Sequence, residues 1–441
     1  MSALMRTSRF MHRGCASFLA REVSLKSADH TQLFLRFTEA DEGRWSYILL
    51  LDFDFKPTKL PGETTADFAR GLARATRLHT LKVLNARTWT LQLISAIRDL
   101  PSIKCIEVRQ CSFSGWDLAS QLPLESVHLG HRTVNKVLNP HMPSSVPPSV
   151  LHASRNTLTS LTVFYWPLPR AAASEQGEFV FPALTHLVLH AGYWQALDAE
   201  DVAAWPRAFP SLRTLELSVA FRARMRSPSP GVLHLALAQW AADVVRHRGS
   251  ARAWPALDRL ACARGDVHCL GPPCPVRTLA LELDDADLPL LDVLFAAARP
   301  ARLEAAFRPL RRGGHDVVDA LRLPGLDGVT ALALRVEFRC RLEDFLSPFM
   351  EWLAARPRLQ GLTLELRHPA LFVAGDELDT IAERVCRRVL AGSPALPLAT
   401  VVVGGEEQRE RARVRMLRGG RRVDPGVWRE GVVDAEWGDC S

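Results

Sequence analysis

The sequence predicts an α/β fold in which short parallel strands alternate with helices along a repeat array, or solenoid. Two near-copies first indicate this: "FPALTHLVLH" runs from Phe181 to His190, and "FPSLRTLELS" begins at Phe209, with the helix-like "DAEDVAAWPRAF" between them. Prolines ahead of many copies and helical patterns between them support the same interpretation. A repeat array grows by adding units, so 441 residues need not divide into separate globular domains.

The repeated stretch has apolar residues at a spacing of three and then two, as in Leu184, Leu187 and Leu189. The final alternation is the period of a half-buried strand, and the first residue lies where the chain enters that strand. Twelve stretches show this spacing, with starts mostly 19 to 45 residues apart. They begin at Ile48, Leu78, Ile103, Leu124, Leu158, Leu184, Leu212, Leu257, Val276, Val329, Leu359 and Leu398, with a weaker copy at Leu303.

The residues between the copies predict turns and helices. Many copies follow a proline by one or two residues, as in "FPSL" and "WPAL". Proline lacks the backbone donor that a ladder needs and therefore suits a strand entrance. Apolar residues three or four apart predict helices in "ETTADFARGLARATR", "DLPLLDVLFAAAR", "RLEDFLSPFMEWLAAR" and "DELDTIAERVCRRVLAG". In the last of these, Asp376 suits the start of the helix and Gly392 its end.

Composition excludes several classes of protein. Hydrophobic residues make up 47% of the chain and charged residues 23%, which is enough to bury a large core and argues against general disorder. No uninterrupted apolar stretch approaches a membrane span, so we expect no membrane association. Nine dispersed cysteines and the absence of a secretory signal pattern favour a reducing compartment, the cytoplasm or nucleus. The formal charge of +7 is spread among acidic residues and indicates a solvated surface.

The repeat phrase "FPSLRTLEL" resembles the strand segment of a leucine-rich repeat. Ile103 to Cys111 matches the fuller pattern, with Cys111 where Asn or Cys is usual. The long, irregular copies over residues 25–403 are similar to those of fungal F-box leucine-rich-repeat proteins. The resemblance implies an irregular leucine-rich-repeat-like solenoid that recognises other proteins without catalysis.

The opening "LMRTSRFMHRGCASFLAREVSL" resembles the last part of an F-box followed by its link to the first repeat. The resemblance implies that residues 1–24 form a partial F-box-like helical cap whose apolar side chains bind an adaptor. Those candidate adaptor-binding residues are Leu4, Met5, Phe10, Phe18 and Leu19. The Leu-Pro segment that opens an F-box is missing, so either the start lies upstream of Met1 or the box is lost. The same residues also suit a helix that simply caps the first repeat.

Residues 404–441 are predicted to form a basic helix followed by a loose C-terminal tail. "VVVGGEEQRERARVR" has the order strand, glycine pair, helix start, which could seat an anion. Glu406 and Glu407 would repel phosphate there, so a tight turn is favoured. The arginines of this region could meet nucleic acid, but interleaved aromatic residues are missing until Trp428, which favours a solvated helix.

No motif for phosphate binding or nucleophilic catalysis is found, so we expect no enzyme activity and no cofactor. The closest approach to a metal site is Cys262, His268, Cys269 and Cys274, but the spacing is not that of paired zinc knuckles. Cys262 also occupies a repeat strand position, where a small buried residue is expected.

The sequence therefore predicts a non-catalytic recognition scaffold for an unidentified protein. The F-box resemblance implies the substrate receptor of an SCF-type ubiquitin ligase, with an F-box adaptor and cullin complex as partners. The alternative is a solenoid that binds nucleic acid or acidic surfaces through its excess of arginine and has no ligase role.

Overall fold

The protein is described by a computed structural model with two compact units. Unit 1 comprises residues 1–195 and 207–212, and unit 2 comprises residues 196–206 and 213–441. The structure describes residues 18–54, 62–84, 91–109, 122–130, 151–164, 180–191, 199–219, 239, 242–243, 246, 254–262, 274–283, 291–307, 314–337, 341–367, 375–393, 395–404, 411–418 and 422–423.

The described part of unit 1 contains seven strands, each of which repeats the predicted spacing except the first. The strands are β1 (Glu22–Leu25), β2 (Leu50–Asp54), β3 (Thr80–Leu84), β4 (Cys105–Arg109), β5 (Ser126–Gly130), β6 (Ser160–Phe164) and β7 (His186–Ala191). Helices α1 (Ala28–Glu39), α2 (Gly62–Leu72) and α3 (Leu91–Arg98) lie between the early strands, and a 3-10 helix spans Glu42–Tyr47. The first helix begins where the Ser27 side chain accepts a hydrogen bond from the backbone N–H of His30.

Each strand of unit 1 pairs in parallel with the next strand along the chain. The register places the middle apolar residues of successive repeats side by side, and all of them are fully buried. This core column consists of Leu51, Leu81, Ile106, Val127, Leu161 and Leu187. Each repeat thus covers the apolar face of its neighbour, as a solenoid requires.

Unit 2 continues the same pattern over eight strands. The strands are β8 (Thr214–Val219), β9 (Leu257–Cys262), β10 (Val276–Leu283), β11 (Arg302–Phe307), β12 (Ala331–Glu337), β13 (Gly361–Arg367), β14 (Leu398–Gly404) and β15 (Arg411–Leu417). The described helices are α4 (Ala199–Ala208), whose residues divide between the two units, α5 (Leu291–Ala298), α6 (Gly314–Leu321), α7 (Leu342–Ala354) and α8 (Gly375–Gly392), with a 3-10 helix at Pro324–Leu326.

Strands β8 to β14 are parallel to their neighbours, whereas β15 runs antiparallel to β14. Their buried residues again form columns, one of which consists of Leu217, Cys262, Leu281, Ala305, Leu334, Leu364 and Val401. Helix α8 packs on β14 and β15 through residues spaced three or four apart. These buried residues are Leu378, Ala382, Val385, Cys386 and Val389.

Successive helices of unit 2 are joined by polar contacts and by close packing. The indole N–H of Trp352 on α7 donates to the carbonyl of Leu321 at the end of α6, at 2.7 Å. Gly325 packs against the backbone of α5. A Cβ added to Gly325 would lie 2.2 Å from the backbone carbonyl carbon of Phe295. A side chain at residue 325 would therefore force the 3-10 helix away from α5.

The predicted fold class is confirmed: an α/β, leucine-rich-repeat-like array of parallel strands alternating with helices. All twelve predicted copies, and the weak copy at Leu303, coincide with strands β2 to β14. Two predictions at the ends were wrong. Residues 22–25 form strand β1 rather than the end of a helical cap, because Val23 and Leu25 bury against β2.

The predicted basic helix of residues 404–441 is also wrong over its described part, where residues 411–417 form β15. Arginine, alanine, leucine and methionine favour a helix there by propensity. The alternation of Val414 and Met416 with polar residues outweighs this helix propensity, because both side chains are completely buried when β15 pairs with β14. The remainder of the predicted C-terminal tail, from residue 424, lies outside the described residues.

Replacing Leu187 by alanine should lower the free energy of unfolding by about 2 to 5 kcal/mol, because it leaves a cavity in the buried column. Contacts in a repeat array are mainly between neighbours, so we expect amide hydrogen exchange to rise first in β6 and β7 and least in β1 and β2. His186→Ala is the matched control, since His186 is exposed on the same strand. Uniform loss of protection along unit 1 would contradict a repeat array.

Candidate functional site

The outward face of strands β9 to β13 carries the polar side chains that alternate with the core columns. In β12, Leu332, Leu334 and Val336 are buried while the residues between them are partly exposed. The register lines up these outward residues across the sheet, so side chains from repeats far apart in sequence become neighbours. This face holds two clusters of ion pairs.

The first cluster surrounds the carboxylate of Glu304 on β11, whose side chain is only 6% exposed. Arg259 of β9 donates to it at 2.9 Å, and Arg302 approaches it at 2.8 Å. Arg259 reaches across β10, where the outward residue at the level of Glu304 is the small Ala280. Arg259 also lies 3.7 Å from Glu216 of β8, so the buried carboxylate belongs to a network spanning four strands.

The second cluster surrounds Glu365 on β13, which is 3% exposed. Arg335 of β12 donates to it at 2.8 Å and Arg367 at 2.7 Å, and Arg367 lies 3.8 Å from Glu337. Burial by itself raises the pKa of Glu365, but the two guanidinium groups outweigh it, so the pKa lies below its usual value. The carboxylate is therefore ionised at neutral pH and fixes the positions of both arginines.

Next to these clusters, the outward residues in the first part of β12 and β13 are small and partly exposed. They are Ala331, Ala333, Gly361 and Thr363, which we call the small-residue platform. Adding a Cβ at Gly361 would bring it 3.8 Å from the Cβ of Ala331, an ordinary contact. The platform is thus a shallow surface bordered by side chains that ion pairs hold in place.

The outward face of unit 1 has a different character, with few ion pairs among the described residues. Lys82 lies 3.3 Å from Glu107, and the hydroxyl of Ser24 donates to Asp52 at 3.3 Å. Towards the last strands, the rings of Phe164 and His190 stack with centroids 4.4 Å apart. This face offers hydroxyl and aromatic groups rather than a charged border.

Two of the described cysteine thiols, those of Cys105 and Cys386, are not set up as nucleophiles. Burial raises the pKa of Cys105, and the hydroxyl hydrogen bonds from Ser126 and Thr80 only partly oppose it. Burial also raises the pKa of Cys386 to about 11, although a backbone hydrogen bond from Met416 acts in the opposite direction. Since the thiolate is the reactive form, both thiols are inert at neutral pH.

Of the five predicted adaptor-binding residues, Leu4, Met5 and Phe10 lie outside the described residues. Phe18 and Leu19 are helical and exposed, with 66% and 40% of their surface accessible. Exposed large apolar side chains are uncommon among the described residues, and both side chains are accessible to a partner, so their binding role stays a prediction. Within unit 1, Leu33 on α1 is the other exposed apolar residue of this size among those described.

The two described cysteines of the stretch from Cys262 to Cys274 lie far apart. Cys262 is buried in a core column opposite Leu281, whereas Cys274 precedes Val276 at the other end of β10. Five strand residues separate the levels of Val276 and Leu281, about 16 Å at the usual rise. His268 and Cys269 lie outside the described residues, and the described part of the chain holds no group of three ligating residues suited to a metal.

Sequence reasoning missed both ion-pair clusters. The two residues of one ion pair are up to 45 residues apart, and only the register of the parallel strands brings them together. The signal that could have found them is an Arg or Glu at the outward position of nearly every strand from β8 to β13. This pattern of outward charges can be recognised only when the register of neighbouring strands is known.

No protein-family model matches the chain, and no curated protein matches it. Among solved structures it is similar to an internalin, InlF, from Listeria monocytogenes, with 12% identity over 73% of this chain and 75% of that chain and a TM-score of 0.32. It is also similar to TLR13 in a TLR13–ssRNA13 complex, with 13% identity over 82% of this chain and 54% of that chain and a TM-score of 0.37. Both are leucine-rich-repeat proteins. Within the described residues, no helix has the length and apolar character to cross a membrane.

Replacing Glu365 by glutamine should destabilise unit 2 by about 3 kcal/mol at neutral pH, because two largely buried arginines lose their shared counter-charge. A carboxyl whose pKa is lowered on folding adds stability above its unfolded pKa. That contribution disappears as the pH falls through the folded pKa, so the difference between the variant and the parent protein should shrink once the pH falls below the ordinary pKa of a glutamate carboxyl.

The measurement is urea unfolding between pH 3 and 8. Glu351→Gln is the control, because the Glu351 side chain is 77% exposed and its pair with Arg322 is long, at 4.0 Å. We expect that control to change the free energy of unfolding by less than about 0.5 kcal/mol. A loss for Glu365→Gln that is the same at every pH would show that the charge is not its cause.

Proposed function

We propose that the protein is a non-catalytic scaffold that recognises another protein through the outward face of β9 to β13. The observation that carries the proposal is the small-residue platform with its border of fixed charges. A partner could lie close to the sheet over Ala333 and Thr363 while its own charged groups meet Arg335, Arg367 and their neighbours.

The ion pairs contribute by arranging this face before a partner arrives. Arg335 and Arg367 share one buried carboxylate, so their long side chains lose little freedom on binding. A border with both signs of charge favours a partner with the complementary pattern and disfavours others. Selectivity then comes from the pattern of charges and shape rather than from total charge.

Replacing Thr363 by arginine should block this surface, because a long charged side chain would project from the platform without entering the core. We expect proteins captured by the parent chain in affinity purification to be lost with Thr363→Arg and with Ala333→Arg. Gly361→Ala should retain them, since its new methyl group makes only ordinary contacts. Urea unfolding checks that all three variants fold, and identical captured sets would exclude this face as the recognition surface.

The more specific form of the proposal is that the chain is the substrate receptor of an SCF-type ubiquitin ligase. Its support is the F-box-like pattern of the first residues together with the exposure of Phe18 and Leu19. In this role the N-terminal segment would bind the F-box adaptor while the sheet face holds the substrate. Binding would raise the effective concentration of substrate near the charged ubiquitin carrier, while other subunits of the ligase would carry out ubiquitin transfer.

The adaptor test is co-purification of the chain, extended upstream of Met1 where the reading frame allows, with the F-box adaptor. Phe18→Ser together with Leu19→Ser should reduce recovery of the adaptor by roughly tenfold, as loss of two apolar anchors does. Leu33→Ser is the control, because Leu33 is also exposed but lies outside the predicted set. If the extended chain fails to recover the adaptor, the ligase role is excluded while the scaffold proposal stands.

A further inference from the structure

We propose that a cleft at the entrances of β1 to β3 binds a short zwitterionic peptide, about three residues long, with an apolar middle side chain. The cleft lies within unit 1, so it is separate from the platform and does not depend on the proposed recognition role. Two observations carry the proposal. The floor of the cleft is apolar at positions that the other repeats make polar, and unpaired charges of opposite sign line its two sides.

The cleft has a volume of about 500 Å³ and is open to solvent. This volume lies within the range of sites that bind small molecules. The hydroxyl of Ser102, which also lines the cleft, already donates to the carbonyl of Leu78 at 2.9 Å. The other lining residues are Glu22, Leu49, Leu50, Arg77, His79 and Thr80.

Leu49 and Leu50 form the apolar floor. Their two successive N–H groups donate to one carbonyl of the repeat before, that of Arg21, at 2.9 and 3.1 Å. The same pair of bonds marks the equivalent positions at the entrances of β3 to β7. The residue pairs there are His79 and Thr80, Lys104 and Cys105, Glu125 and Ser126, Thr159 and Ser160, and Thr185 and His186. Among the described repeats of unit 1, the one that contains β2 is therefore alone in having two large apolar residues at this entrance.

Core packing does not account for these two leucines. The core positions of this repeat are held by Ile48, Leu51 and Phe53, whereas Leu49 and Leu50 are partly exposed. An apolar side chain that is open to water gains free energy when an apolar group covers it. The pair therefore provides a surface on which an apolar part of a ligand can lie.

Charged groups of opposite sign flank this floor. The register places Glu22 of β1 on one side of Leu50 and Thr80 of β3 on the other. Arg77 and His79, just before Thr80, line the same cleft. In the described part of the chain, the exposed side chains of Glu22 and Arg77 have no ion-pair or hydrogen-bond partner. The Nδ1 atom of His79 lies 3.2 Å from the hydroxyl of Thr80, which leaves Nε2 for a ligand.

The spacing of the strands sets the length of the ligand. Two strand spacings separate Glu22 from Thr80, about 10 Å, and side chains stand roughly perpendicular to a sheet. An extended tripeptide is also about 10 Å long. Its ammonium group would lie at Glu22, its carboxylate at Arg77 and His79, and its middle side chain over Leu50. A single amino acid is too short to reach both sides.

The direct test is a ligand-observed NMR titration of the full chain with the tripeptide Ala-Leu-Ala. We expect binding that N-terminal acetylation or C-terminal amidation each weakens by roughly threefold or more, because each removes one partly exposed ion pair. In Glu22→Gln, acetylation should have no further effect while amidation still weakens binding. In Arg77→Gln the pattern should be the reverse, and a folding defect cannot produce such a crossed pattern.

The floor is tested by Leu50→Thr, which installs the residue that the next repeat has at this position. We expect it to weaken binding by roughly tenfold, because the middle side chain loses its apolar contact. Glu39→Gln and Arg36→Gln are the matched controls and should bind like the parent chain, since both residues are exposed on α1 of the same unit. Equal binding by Leu50→Thr would overturn the role of the floor.

Three further outcomes would overturn the proposal. If free leucine bound as tightly as the tripeptide, the cleft would not recognise two separated ends. If acetyl-Lys-Leu-Glu-amide bound as tightly, the cleft would recognise charged side chains of a protein rather than free termini. If about 5 mM tripeptide, enough to detect a millimolar ligand, gave no signal, the charges would be only a solvated surface.

Discussion

The parallel register between consecutive strands is the constraint on which the rest of this structure depends. A five-residue strand with two or three apolar side chains cannot form a core alone, and it becomes stable only when the same positions of its neighbours lie beside it. The column from Leu51 to Leu187 shows this in unit 1, where every member is fully buried. Each repeat must therefore bring its strand into register with the buried column, however long the loops between strands are.

The charged surface is a second consequence of the same register. A buried carboxylate such as Glu304 is costly unless cations lie close to it, and here the cations come from β9 and from its own strand. Shifting one strand by a single residue would turn its outward residues into the core and separate these groups. The ion pairs of the outward face therefore form only when the core residues stack in the correct register.

The sequence predicted the strands well because their apolar spacing is local and repeated, and one short window suffices to recognise it. It failed at both ends of the array for different reasons. The four residues of β1 carry too few apolar positions to stand out, and its strand form depends on Leu51 and Phe53 of β2. In β15, local helix propensity conflicted with tertiary burial, and burial of Val414 and Met416 decided the outcome.

The candidate site was less predictable than the fold. Arg259 and Glu304 are unremarkable in the sequence, and nothing local distinguishes them from the other charged residues. Their pairing across Ala280 requires knowledge of which strand position aligns with which. Phe18 and Leu19, in contrast, were selected from sequence alone, and exposure of both side chains could be verified only in three dimensions.

The reversal of direction at β15 bears on how such an array can change in length. Any parallel strand and its helix can be duplicated or removed in principle, because the unit on either side presents the same kind of surface. An antiparallel strand breaks that equivalence, since its edge offers hydrogen-bond pairs in a different pattern from the edge of β14. Among the described strands, copying of a repeat is therefore expected before β14, where each strand edge presents the same pattern of donors and acceptors to the next strand.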